Sequence, residues 1–357
     1  MSLDLNFSFG FLSKISVYVF LALSLFLLLI FEGFKRALKY FFAFLSLVVI
    51  TFIIKKITNV PRPVFQNHVV HALGSSFPSA HASISFFFAA IFLAKYGKKA
   101  IPFPIIAFII SISRFFVHAH RVAEIIAGSC LGVTAGLFAY YIIEGKIRES
   151  DENLRKLTHI MLGTFFVCMA TEVAKIKVIE IFVFLFILSL PFSLILKKTK
   201  KGFFSELKFF ERKSDFKFPL KGTILFFLSS ALTFAIFPKE FAIMGLIALT
   251  FGDGFATVIG KKYGNLKHLH NPNKSLEGSL SGFIATFFIS IIFVKPWLAF
   301  INASTFAFFE SLDLDHFVAR CSYKKRALME ILTNDNFYIP LLCSLTTYLF
   351  YLLSLKL

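Results

Sequence analysis

Apolar runs of fifteen to twenty-odd residues recur along the whole chain, and they leave few folds open. They lie near 11–31, 37–54, 80–94, 101–117, 122–143 and 158–174, then near 178–196, 222–238, 240–259, 278–294, 296–310 and 337–355. A bilayer crossing takes about 20 mostly apolar residues, fewer where flanking lysines reach back to the headgroups. With 57% apolar residues and 52 phenylalanines in 357, a water-soluble globule around one core is excluded. The pattern predicts an all-α, polytopic integral membrane protein with about 12 transmembrane helices. No small-residue cleavage site follows the first run and a second begins at once, so it reads as a span and not as a signal peptide. Cys130, Cys168, Cys321 and Cys343 are too dispersed for a disulfide framework or a zinc site.

The net charge of +18 would suggest nucleic acid for a soluble protein, but in a membrane protein the placement of Lys and Arg matters more. The turns at 32–39, 95–99, 144–156, 197–221, 260–276 and 311–336 hold 27 of the 38 basic residues. This set alternates with the basic-poor turns, as inside loops alternate with outside ones, and predicts both termini outside. A nucleic-acid partner is not expected. The basic, phenylalanine-rich stretch at 197–221 reads as a segment lying on anionic headgroups.

Three polar clusters interrupt the first half, all at run ends on the predicted outer side. KKITNVPRP carries Lys55 and Arg62, FPSAH carries Ser79 and His81, and SRFFVHAHRVAE carries Arg114, His120 and Glu124. Headgroup anchoring would explain any one of them; three in order on one face argue for a site. Lys55, Arg62 and Arg114 suit a phosphate, because ammonium and guanidinium groups match its oxygens. Glu124, four residues after His120, shares its helical face and can fix the imidazole tautomer. One histidine is then left to attack and one to protonate, with His118 as the competing neighbour.

These clusters resemble the signature KxxxxxxRP, PSGH, SRxxxxxHxxxD of the type 2 phosphatidic acid phosphatase superfamily, related to the vanadium haloperoxidases. The resemblance implies His120 as a nucleophile forming a phosphohistidine, Glu124 as its orienting carboxylate and His81 as the acid for the leaving oxygen. It also implies that Lys55, Arg62, Ser79 and Arg114, with backbone amides near Ala80, hold the phosphoryl oxygens without a metal. Ala80 stands where the signature has glycine, and Glu124 where it has aspartate.

A charged stretch, EGKIRESDENLRK at 144–156, reads as an inside linker between two helical-bundle domains, 1–150 and 151–357. Further polar motifs follow, all predicted inside. Arg155-Lys156 precedes His159; LTFGDGFATVIGKKYG holds Asp253, Lys261 and Lys262; NPNKSLEGSLSGF holds Lys274, Ser275 and Glu277; TNDNFYIP holds Asp335 and Asn336. Charges at membrane depth are costly enough to mark function. The glycines beside Asp253 suggest close ligand approach, the lysines suit phosphates, and carboxylates at 253, 277 and 335 suit Mg²⁺ on a nucleotide. There is no GxxxxGK[ST] and no kinase-type glycine loop.

Residues 152–357 resemble the integral membrane CTP-dependent lipid kinases, the family of dolichol, phytol and diacylglycerol kinases. GDGFATVIGKKYG, NPNKSLEGS and DNFYIP carry that resemblance, with the basic ERK and PLKGT stretches at 211–223 as context. It implies CTP as donor and a lipid alcohol as acceptor; of the three carboxylates, Asp253 and Asp335 are the expected Mg²⁺ ligands. Extra residues between Glu310-Ser311 and Asp335 depart from the family pattern. The halves together predict a bifunctional enzyme of the cell's cytoplasmic membrane. Its outward-facing phosphatase would act on a lipid phosphate or polyprenyl diphosphate, and its inward-facing kinase on a lipid alcohol. The alternative is a lipid or phosphate-ester transporter with a charged intramembrane path, against which the dissimilarity of the two motif sets counts.

Overall fold

The structure, a computed structural model, describes residues 2–63, 74–145, 152–198, 218–312 and 323–356. Backbone packing divides the chain into two compact units, Met1–Ile147 with Thr164–Val173, and Arg148–Gly163 with Ala174–Leu357. The expected boundary at 150/151 falls within residues 146–151, outside the described residues. The expectation needs one correction: residues 164–173 belong to the first unit.

The first unit contains α1 (Ser2–Glu32), α2 (Phe34–Thr58), α3 (Ala80–Tyr96), α4 (Pro102–Phe116), α5 (Val122–Ile143) and the end of α6 (Glu152–Glu172). Gly33, at φ 73, separates α1 from α2, a backbone conformation that costs glycine nothing. Asn59 closes α2 in the left-handed region, its N–H donating to Lys55 O. Pro102 opens α4, where its missing N–H is no loss. Phe87, Phe88, Ile91 and Phe92 of α3 are buried with Tyr40, Phe44 and Leu47 of α2 and Phe20 and Leu28 of α1.

The tightest joint is between α3 and α5. A Cβ added at Gly128, Gly132 or Gly136 would run into the carbonyl oxygens of Ser79, Ser83 and Phe87, one turn after another. In lipid, where burial of apolar surface gives helices no reason to associate, small residues that let backbones approach supply the packing instead. At the far end of the same helices, Lys95 Nζ lies 2.5 Å from both Glu32 and Glu144. Tyr96 donates to Glu32 at 2.6 Å and Tyr40 to Glu144 at 2.9 Å.

The second unit contains the start of α6, then α7 (Lys175–Lys198), α8 (Lys221–Ile236), α9 (Lys239–Ile247), a π-turn (Ala248–Gly252) and α10 (Asp253–Tyr263). A small antiparallel hairpin, β1 (Lys267–His268) and β2 (Asn271–Ser275), leads into α11 (Leu276–Ser290). Helices α12 (Pro296–Ser311), α13 (Tyr323–Leu332) and α14 (Asp335–Ser354) complete it. Polar side chains pin the interior. Asn302 donates to Met244 O at 3.2 Å and contacts Ser290 Oγ at 2.9 Å, and Ser344 donates to Phe241 O at 2.9 Å.

Each apolar run forms a helix. Among the described residues seven segments are long and apolar enough to cross a membrane, Lys239–Tyr263 counting as one, while Pro102–Phe116, Lys221–Ile236 and Leu276–Ser290 are shorter. Large apolar side chains face outward, among them Phe34 at 70%, Phe52 at 67%, Phe288 at 65% and Ile292 at 74% exposure, a surface suited to lipid and not to water. This is a multi-pass membrane protein. Cys130, Cys168 and Cys343 are buried free thiols, and Cys321 lies outside the described residues. The basic stretch expected on headgroups is outside them from 199 to 217.

Gly132→Ala is expected to force α5 off the Ser83 carbonyl and cost about 1–3 kcal/mol, read as a lower thermal unfolding midpoint of the detergent-purified protein.

Candidate functional site

In the first unit the three sequence clusters meet around Glu124. As the third residue of α5, Glu124 accepts the Arg121 N–H at 3.1 Å, which fixes its carboxylate at the helix start. The same Oε2 lies 2.8 Å from His120 Nδ1, and Oε1 accepts Ser76 Oγ at 2.7 Å. The backbone carbonyl of Glu124 accepts the Ser79 N–H at 2.9 Å, tying the residue before α3 to α5. The extra methylene of Glu124 relative to aspartate is therefore accommodated. Ala80 is the first helical residue of α3 and has no positive φ, so nothing there calls for glycine.

His120 is 4% exposed. With Nδ1–H donating to Glu124, its Nε2 carries the free lone pair. Burial, opposed by the hydrogen bond to Glu124, pushes the His120 pKa down to about 4, so the ring is a neutral base near pH 7. The competing His118 is exposed and sits at φ 55. His81 lies on the first turn of α3, two residues beyond the tethered Ser79, and Ser79 Oγ is buried with no hydrogen-bond partner among the described residues.

The cations are positioned by neutral groups. Lys55 Nζ donates to Ser75 O at 2.9 Å and Ser76 O at 3.2 Å; Arg62 donates to Gly74 O at 3.2 Å and Ala119 O at 3.0 Å. Arg114, 2% exposed, donates to Ser13 Oγ of α1 at 2.8 Å, and its Nε has no hydrogen-bond partner among the described residues. Lys55 and Arg62 thus stand near one carboxylate that is already engaged, and the Arg114 carbonyl accepts the His120 N–H at 3.3 Å, a gathering of positive charge suited to an anion. Ser13 and Ser76 escaped the sequence reading: neither stands at a fixed spacing from the residue it supports.

In the second unit, Asp253 follows directly on the π-turn, an irregularity frequent at functional sites. Its Oδ2 lies 2.6 Å from Lys156 Nζ and 3.7 Å from His159 Nε2, and its Oδ1 accepts Thr257 Oγ1 at 3.3 Å. His159 Nε2 also lies 3.2 Å from Leu249 O. One carboxylate oxygen each from Asp253, Glu310 and Asp335 lie within 4.8 Å of one another. They line a cavity of about 500 Å³ together with Lys261, Lys267 and Lys274. Lys274 pairs with Glu310 and lies 4.0 Å from Asp335. Burial would lower its pKa, but these carboxylates outweigh it and hold the ammonium above its ordinary value.

Three sequence expectations need correction. Glu277 does not join the acidic group: its half-buried side chain accepts the N–H groups of Asn265 and Leu266, each at 3.0 Å, and secures the hairpin. Asn336 is not a cavity residue either. It donates to Gly222 O at 3.2 Å and its carbonyl accepts Ser229 Oγ, joining α14 to α8. The glycines flanking Asp253 serve packing and not ligand approach, since a Cβ at Gly252 would meet the Phe306 ring and one at Gly254 the Ile160 side chain. Ser275 lines the cavity and caps α11, accepting the Gly278 N–H at 3.1 Å. Of the inserted residues after Glu310, 313–322 lie outside the described residues, as does the ERK stretch at 211–213. The sequence reading passed over Glu310 and Lys156 as site residues, although a carboxylate closing an apolar run is the kind of signal that marks one.

Residues 36–148 match the PAP2 superfamily. The chain is also similar to a probable chloroplastic phytol kinase of Triticum aestivum, 27% identical over 50% of this chain and 62% of that protein. A chloroplastic farnesol kinase of Arabidopsis thaliana is 29% identical over 52% and 59%. CTP-dependent diacylglycerol kinase 1 of Schizosaccharomyces pombe is 28% identical over 26% and 50%. The chain spans about half to three-fifths of the length of these relatives. No solved structure matches it. Taken with the geometry, these similarities identify a fusion, a PAP2 superfamily domain carrying the histidine site joined to a part similar to the phytol, farnesol and CTP-dependent diacylglycerol kinases.

Proposed function

We propose that the protein is a bifunctional membrane enzyme of lipid phosphates: a phosphatase working through a phosphohistidine, and a CTP-dependent lipid alcohol kinase. The observation that carries the first activity is the His120–Glu124 pair at 2.8 Å, with Lys55, Arg62 and Arg114 held by neutral groups of the same unit. His120 Nε2 attacks phosphorus, the bond to the lipid oxygen breaks, and His81 gives that oxygen its proton. Water then cleaves the N–P bond and releases phosphate. The fixed cations hold the phosphoryl oxygens as their charge grows, so this half needs no metal.

For the second activity, the names of the relatives support CTP as donor and an isoprenoid alcohol or diacylglycerol as acceptor. The oxygen-only donor set around Asp253 and Asp335 fits a hard divalent ion, and Mg²⁺ held there would neutralise charge on the nucleotide phosphates. Lys261 and Lys274 line the same cavity and would hold those phosphates, and Lys156 and His159 keep Asp253 in place.

The loop charge pattern supports an outward phosphatase and an inward kinase in the cell's cytoplasmic membrane. Opposed activities on a single lipid would waste CTP. The two agree if one removes a phosphate from a polyprenyl diphosphate and the other phosphorylates a polyprenol, because both then yield the monophosphate.

His120→Ala is expected to lower phosphate release by on the order of 10³-fold or more while leaving CTP-dependent phosphorylation intact, and Asp253→Ala to do the reverse. Assays with lipid phosphates, polyprenyl diphosphates and lipid alcohols, comparing CTP with ATP, check both; loss of both activities in each variant would refute separate sites. Because His120 acts as the neutral ring, phosphatase kcat/KM should stay level down through pH 6 and fall only as pH drops through about 4. A pH–rate profile with its acid limb near 6.5 would contradict that assignment.

A further inference from the structure

Three carboxylates crowd one side of the second cavity. Asp253 and Glu310 are each 3% exposed, and Asp335 lies within 4.8 Å of both. Carboxylates this close in a dry site repel unless cations stand between them. Two lysines answer in part, Lys156 against Asp253 and Lys274 against Glu310 with Asp335 at 4.0 Å. One oxygen of the Glu310 carboxylate, which lines the cavity, is left over: Oε2 is buried and has no hydrogen-bond partner among the described residues. An ionised oxygen in that position costs free energy that a cation would recover.

We propose that Glu310 is the third ligand of a divalent-cation site with Asp253 and Asp335, and that the Lys274 ammonium is the site's internal substitute for that cation. The donors are all carboxylate oxygens, which select a hard ion of the Mg²⁺, Mn²⁺ or Ca²⁺ type. The positions in the fold suit the exchange. Glu310 and Asp335 sit at helix ends and Asp253 directly after the π-turn, whereas Lys274 is on strand β2, next to Ser275 at the start of α11. When the ion binds, its charge takes over the role of Lys274 at Glu310, and the ammonium is released into a cavity already lined by Lys261 and Lys267. Three cations then face the nucleotide phosphates in place of two. This rests on the kinase reading for its nucleotide, but the ion site itself does not depend on it.

The test uses the full-length protein in detergent, without nucleotide or lipid, titrated with Mn²⁺ while free Mn²⁺ is followed by electron paramagnetic resonance. The wild type should take up one Mn²⁺ per chain. Glu310→Gln should weaken that binding at least tenfold, and Lys274→Met, by removing the competing ammonium, should tighten it while slowing phosphoryl transfer. A misfolded variant cannot bind the ion more tightly, so the second result stands on its own. Equal Mn²⁺ affinity in Glu310→Gln and wild type, or unchanged or weaker affinity in Lys274→Met, overturns the proposal even if the protein proves to be a kinase. If both shifts occur but no lipid alcohol accepts phosphate from CTP, the kinase reading fails and the ion site remains.

Discussion

A charge carried into an apolar helical bundle must find an answering group there, because water is not at hand to supply one. Both units of this protein are arranged around that constraint. In the first, Glu124 is met by His120, Ser76 and the Arg121 amide, so its carboxylate is fully occupied by groups that also fix the positions of the surrounding residues. The nearby cations are met by carbonyls and a hydroxyl, which orient them without cancelling their charge. The surplus is what an anionic phosphate would neutralise. In the second unit the buried charges are carboxylates, Asp253 met by Lys156 and Glu310 by Lys274.

The close approach of α5 to α3 sets how far apart the side chains of the first site can be. His81 and Ser79 belong to α3 and the turn before it, Glu124 to α5 and His120 to the turn before that. With glycine at 128 lying against the Ser79 carbonyl, the two helix starts are held at backbone contact, and the Ser79–Glu124 backbone hydrogen bond adds a fixed register. At the opposite ends of α1, α2, α3 and α5, the group formed by Glu32, Tyr40, Lys95, Tyr96 and Glu144 holds the same bundle closed. Polar residues at the two ends therefore do different jobs, one satisfied internally and one left ready for a ligand.

What could be read from the sequence follows from the range of each signal. Apolar runs are local, and every one of them became a helix. The pairing of His120 with Glu124 is also local, being one helical turn, and the geometry has it as the spacing suggests. Ser13 and Glu310 were not legible as partners of Arg114 and Lys274, since the separations of 101 and 36 residues carry no periodicity. Glu277 misled for the converse reason. It stands near Lys274 in the chain, but β2 and the start of α11 turn it toward the hairpin amides. The glycines around Asp253 likewise had two explanations in sequence, ligand approach and helix contact, and only the packed neighbours Phe306 and Ile160 distinguish them.

The π-turn at Ala248–Gly252 has a geometric consequence for Asp253. An ordinary helix advances about 100° per residue, so one residue absorbed as a wider loop resets the angular phase of everything after it. Helices α9 and α10 therefore form one membrane-length rod, Lys239–Tyr263, whose two halves point their side chains by different clocks. Asp253 is the first residue read by the second clock. A chain one residue shorter at that point would keep its length in the bilayer almost unchanged and yet swing this carboxylate a quarter-turn or more away from Lys156.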